Sequence, residues 1–207
     1  MKKILVLAAL FTTPVFSGPY LGLEYGLSYS DHDYEPVINE RQLNPESDGA
    51  TLGGFIGYKF ENSWAVELGY SQFKLDDSYS IETQDIQYEY EKDWDADIEA
   101  KQFTLIPIYF HDFNEKWSMK GGVGISYTKY EYASSYKLEQ EGHFSDIEHV
   151  LENKKGPTGS SNELGGIASI GIDYSLTSNL TFGASAKYQI DNYANTATFN
   201  LMTAYHF

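Results

Sequence analysis

Apolar and polar residues alternate one by one over eight stretches of this chain, which predicts strands that each have two unlike faces. In 20–30, Leu21, Leu23, Tyr25, Leu27 and Tyr29 share one face, while Gly22, Glu24, Gly26 and Ser28 share the other. The division recurs in 51–60, 64–73, 101–110, 117–130, 163–176, 180–190 and 198–207. In 117–130, Trp117, Met119, Val123, Ile125 and Tyr127 stand opposite Ser118, Lys120, Gly122, Gly124, Ser126 and Thr128. Ile106 and Ile108 blur the contrast in 101–110. The bulky apolar face suits an apolar solvent, and the glycine-rich polar face suits a narrow interior, the inverse of a soluble barrel. The predicted fold is all-β: an eight-stranded antiparallel up-and-down transmembrane β-barrel with long extracellular loops.

The connections are lopsided. Stretches two and three, four and five, and six and seven are joined by 61–63, 111–116 and 177–179, all short and polar. The intervening links span roughly 20, 27 and 32 residues, with 191–197 as a shorter last one. Short turns at one end and long loops at the other are the habit of outer-membrane barrels, with the short turns and both termini on the periplasmic side. The aromatics agree. Phe60, Trp64, Tyr109, Trp117, Tyr174, Phe182 and Phe207 fall near the short-turn end of the apolar face. Tyr29, Tyr70, Phe103, Tyr127, Tyr188 and Phe199 fall near the other end, giving two girdles at headgroup level.

Residues 1–17 read as a signal peptide. Lys2 and Lys3 precede the apolar run Ile4 to Phe11, Pro14 breaks it, and Val15 and Ser17 suit the small-residue cleavage rule. The barrel domain is then 18–207, stopping at the eighth strand with no periplasmic peptidoglycan-binding domain expected. No later apolar run approaches the ~20 residues of a membrane helix, which does not exclude membrane strands of ~9–11 residues.

Composition narrows the function. Acids outnumber bases by 30 to 14, for a net charge of −16, so phosphate repels the chain and nucleic acid is no partner. With no cysteine there is no thiolate nucleophile and no cysteine-held metal. No cofactor is expected. The acids gather in the long connections, so the charge is carried outside the cell.

These features together resemble the small OmpA/OmpX-like outer-membrane barrels. The segment TFNLMTAYHF looks like their assembly signal, with Phe199, Leu201, Tyr205 and Phe207 on one face, and WAVELGYSQF and WSMKGGVGISY are similar to the third and fifth strands. The resemblance implies outer-membrane lipid, lipopolysaccharide and the barrel assembly machinery as partners. It leaves function open among adhesins, other surface proteins and lipid-modifying enzymes.

Three constellations are candidates. The inward face carries Glu24, Lys59, Glu67, Lys120, Glu163, Asp173 and Lys187, with His206, charges that must pair in so narrow a lumen; Glu67, Lys120 and Lys187 are the expected centre of that network, and a narrow solute channel is the alternative. In the second long loop Asp77 to Ile81 continues the third strand, and Ile86, Tyr88, Tyr90 and Trp94 alternate with acids. That predicts a ribbon above the membrane whose aromatic face could contact an extracellular protein. Asp93, Asp95, Asp97 and Glu99 form a ladder, but Ile98 stands where a calcium loop needs glycine. For lipid A chemistry, His32 with Asp77 and Ser78 mimics a palmitoyltransferase set and His143-Phe-Ser145 a deacylase pair. The first lacks the amphipathic helix and apolar lumen of those enzymes, and the second lies in a loop. The expected function is therefore a non-enzymatic surface barrel presenting acidic loops for adhesion, host-factor interaction or envelope integrity.

Overall fold

The computed structural model describes residues 17–45, 49–142 and 145–207. All of the expected signal peptide but Ser17 lies outside the described residues. Eleven strands follow: β1 (Gly18–His32), β2 (Val37–Ile38), β3 (Arg41–Gln42), β4 (Gly49–Lys59), β5 (Trp64–Gln84), β6 (Tyr88–Asp112), β7 (Trp117–Gly142), β8 (Ser145–Lys155), β9 (Gly159–Ser175), β10 (Leu180–Ile190) and β11 (Ala194–His206).

Eight of them, β1, β4, β5, β6, β7, β9, β10 and β11, close an antiparallel ring. Closure comes from β1, which pairs with β4 on one side and with β11 from Tyr20↔His206 to His32↔Ala194 on the other. A closed ring leaves no unpaired backbone edge within the bilayer. The short turns are built from local side-chain chemistry. Asn114 Oδ1 accepts from the amides of Lys116 and Trp117, and Thr177 Oγ1 from those of Asn179 and Leu180.

The outward stripe is as the alternation predicts: Leu23, Val123, Leu164 and Leu201 are among its most exposed members. The inward side departs from expectation. Besides its polar groups the lumen holds an apolar cluster that includes Tyr20, Phe55, Ile106, Ile108, Phe110 and Met202. Ile106 and Ile108 are thus core residues, not flaws in a pattern. Facing glycines make room for the rings, since a Cβ on Gly57 would come within 2.2 Å of Tyr20 and one on Gly22 within 2.2 Å of Phe55.

Three strands also run far above the ring: β5 and β6 as the ribbon expected of the second long connection, and β7 beyond the end read from the sequence. β5, β6 and β7 continue above the ring as a tall ribbon, and β8 pairs along the top of β7. The third long connection is therefore largely strand, not loop. Above the ring the inward side turns apolar, with Phe73, Leu75, Ile98, Ala100 and Tyr130 at the mouth. Higher still, Trp94, Ala96 and Tyr136 are covered by Ile38 and Leu43 from the first connection. That connection folds into the β2–β3 hairpin, whose turn residues Asn39 and Glu40 take φ of 47° and 69°.

Candidate functional site

The lumen charges are placed by strand parity and paired by the offset between strands. Lys120 and Asp173, on neighbouring β7 and β9, lie 3.5 Å apart and are both buried. Gly171 stands opposite Lys120 and leaves space for its long side chain. Lys187 on β10 reaches across β11 to both carboxylate oxygens of Glu24 at 2.6 and 2.7 Å. Lys59 lies 4.0 Å from Asp112 at the short-turn end, with its Nζ 4.5 Å above the Phe110 ring. Glu67 accepts a hydrogen bond from the Tyr20 hydroxyl at 3.2 Å, and both Lys120 and Lys187 are near enough to act on its charge.

Six of the seven sequence-derived residues are thus brought together, but the partner of Lys120 is Asp173, not Glu67. Glu163 stands apart near the mouth, half-buried, accepting from Ser161 at 2.5 Å. Tyr20 and Asp112 join them without being among the expected charges. Tyr20 shares the parity of Gly22 and Glu24, a signal that placed it inward; Asp112 falls just past the predicted strand. His206 stacks on Tyr20 with ring centroids 5.3 Å apart. Above this layer the Gln102 amide donates to Gln189, and Gln189 to Thr128. Each buried lysine faces a carboxylate, as burial of charge demands.

The ribbon has two unlike faces. On the inner one, Trp94 is 5% exposed and its indole donates to the Ile38 carbonyl at 3.1 Å. Trp94 therefore cannot serve as part of an exposed contact surface: the β2–β3 hairpin, remote in sequence, packs over it. Arg41 of that hairpin seals the contact, its guanidinium 3.0 Å above the Tyr79 ring. Tyr90 is half-buried and accepts from Gln140, while Tyr88 remains exposed near the tip.

The outer face of the ribbon is acidic. Asp93, Asp95, Asp97 and Glu99 project from β6, and Asp76 on β5 stands directly opposite Asp97. Carboxylate oxygens of Glu91, Asp93 and Glu139 lie within 4.8 Å of one another. Partial burial, then repulsion from Asp93 and Asp97, holds the Asp95 carboxyl above its usual range. Lower on this face, Glu131 receives Lys129 at 2.8 Å and Lys101 at 3.3 Å, and those contacts hold its carboxyl below the usual range.

No catalytic set is assembled at the first enzyme candidate. His32 is bonded to the Pro45 carbonyl and the Tyr34 amide, and Asp77 accepts from the Asn44 amide. Ser78 lies on the opposite face of β5. His143 and the Ser145 side chain lie outside the described residues.

The family described as outer membrane protein beta-barrel domain matches residues 4–207. No curated protein matches the chain. Among solved structures, the Neisserial surface protein A is 14% identical, with a TM-score of 0.56, over 92% of this chain and 98% of that one. The attachment invasion locus protein Ail of Yersinia pestis, in complex with the heparin analogue sucrose octasulfate, is 17% identical with a TM-score of 0.54, over 92% and 99%. The outer membrane protein OprG of Pseudomonas aeruginosa is 15% identical with a TM-score of 0.51, over 94% and 100%.

Proposed function

Because the chain belongs to the outer membrane protein β-barrel domain family, and so resides in the outer membrane, we propose that it is a non-enzymatic surface barrel that holds an acidic sheet outside the cell for adhesion to cationic partners. One observation carries this reading. The ribbon is stiffened on its inner face by Trp94, Tyr136 and the hairpin clamped by Arg41, while its outer face displays rows of carboxylates to solvent. A firmly backed charged face steers and selects an oppositely charged partner. The charge distinguishes it from the neighbour solved with a sulfated ligand, since a polyanion would be repelled here. In this reading the short turns and both termini face the periplasm, and the lumen acts as a plugged, ion-paired anchor. The outward stripe of β11, with Phe199, Leu201, Tyr205 and Phe207, serves insertion by the assembly machinery.

The test is binding of the purified barrel in nanodiscs to arrayed extracellular proteins sorted by net charge. Basic proteins should dominate, their binding should weaken as salt rises, and Asp93→Asn with Asp95→Asn and Asp97→Asn should reduce it. Binding that is indifferent to salt and to these changes would refute the reading. Altered lipid A mass on deletion of the protein would favour the enzyme alternative, and conductance lost with Lys120→Met the channel.

A further inference from the structure

The lipid-facing surface of the ring is not uniform. Where β7, β9, β10, β11 and β1 adjoin, the strand registers line up two cross-strand rows: Met119, Ile172, Ala184, Leu201 and Tyr25 in one, and Ile170, Ala186, Phe199 and Leu27 in the next. In both rows the β10 position is alanine between larger side chains. The result is an apolar groove of about 710 Å³ with Ala184 and Ala186 in its floor.

The next row up is Tyr29, Ala197 and Tyr188, again with a small residue between two large ones. Beyond it Asp31 stands opposite Asn195, where a separate polar pocket of about 140 Å³ is lined by Asp31, Asp33, Asp191, Asn192 and Asn195, among others. The Asp191 carboxylate is already used by Tyr130, Gln189 and the amides of Tyr193 and Ala194. Asp31 and Asp33 are exposed and have no partner among the described residues. An aliphatic groove therefore ends one row below two uncommitted carboxylates that stand just above the aromatic girdle.

We propose that this face binds a membrane lipid whose headgroup carries a primary ammonium, with an acyl chain in the groove over Ala184 and Ala186 and the ammonium at Asp31 and Asp33. The occupant follows from the two environments. A chain in the groove replaces bulk lipid contacts with a fitted apolar surface, and the ammonium meets charges that otherwise repel the surrounding phosphates. The selectivity is local to this arc. On the far side of the ring the acids at the corresponding level, Glu99 and Glu131, are already paired with Lys101 and Lys129.

The refolded full barrel in nanodiscs of equal phosphatidylethanolamine, phosphatidylcholine and phosphatidylglycerol, with identical chains, would test this by native mass spectrometry of the lipids it retains. Retained phosphatidylethanolamine should exceed the other two by about fivefold, the size expected of a pair of exposed charge contacts. Asp31→Asn with Asp33→Asn should bring the three to equal ratios without lowering the total retained. Ala186→Phe, which fills the groove yet stays apolar toward lipid, should lower the total; heat-modifiable migration confirms that both variants are folded. Equal retention of the three lipids by the unaltered protein overturns the proposal, as does a preference that survives loss of both aspartates or a total unmoved by Ala186→Phe.

Discussion

Below and above the outer girdle, β6 and β7 keep the same alternation but exchange its meaning. Within the ring Phe103 and Tyr127 point outward while Gln102 and Thr128 point in, buried among other polar groups. One step higher Ala100 and Tyr130 point inward into an apolar cluster, while Glu99 and Glu131 point outward. Neither strand bulges or slips between the two levels. The surrounding medium changes from hydrocarbon to water, so the same backbone phase now needs charge outside and grease within. A barrel and a soluble sheet are thus stacked on continuous strands, and the membrane boundary is written as an inversion of polarity.

The largest expected effect breaks the lower half of this comparison. Lys120→Met leaves Asp173 buried and uncompensated and should cost ~3–5 kcal/mol in urea unfolding from liposomes. Adding Asp173→Asn should restore most of the loss, whereas adding Glu67→Gln should restore less, because Asp173 is the direct ion-pair partner. In the upper half, Trp94→Ala should cost ~3–5 kcal/mol, but locally. Hydrogen exchange should quicken in residues 36–45 and across the ribbon while the ring stays protected.

A paired substitution sharpens the inversion itself. Val123 and Ala133 both point outward on β7, one toward lipid and one toward water. Val123→Arg should destabilise by ~2–4 kcal/mol, whereas Ala133→Arg should be close to neutral; equal costs would mean that the boundary is misplaced.

The smallest effect is one of pH. Because the Asp95 carboxyl is held above its usual range, the folded ribbon binds that proton more tightly than the unfolded chain does. Its penalty is complete above the raised value and vanishes below the unfolded value of about 3.9. Exchange from the upper parts of β5 and β6, corrected for intrinsic rate, should therefore slow as pH falls through that window, and Asp95→Asn should abolish the dependence.

The ring was legible in the sequence because lipid permits one arrangement of a period-two chain, so Leu21 to Tyr29 or Phe199 to Phe207 could face only outward. The upper strands were less legible. Past Thr128 the polarity reverses, and Tyr130, Tyr132 and Tyr136 no longer read as a continuation of the same face. Trp94 was visible as one of an alternating set, but its cover comes from Ile38 and Leu43, more than fifty residues away, which no local pattern announces. For the lumen, parity identified most of the inward charges. The stagger between strands decides which of them meet, and that is why Lys120 found Asp173.

The top of the sheet has a consequence for crowding on the cell surface. β8 pairs with β7 alone among the described residues, so its far side offers free amides and carbonyls to any strand that comes alongside. Its pairing with β7 is interrupted beyond Leu138, where Glu139 pairs with Val150 while Leu138 pairs with Glu152, leaving Leu151 as an extra residue. Such an irregularity twists a strand away from a flat docking line, and Lys155 at its end adds a charge to the edge. Both features would hinder neighbouring copies from pairing edge to edge through β8.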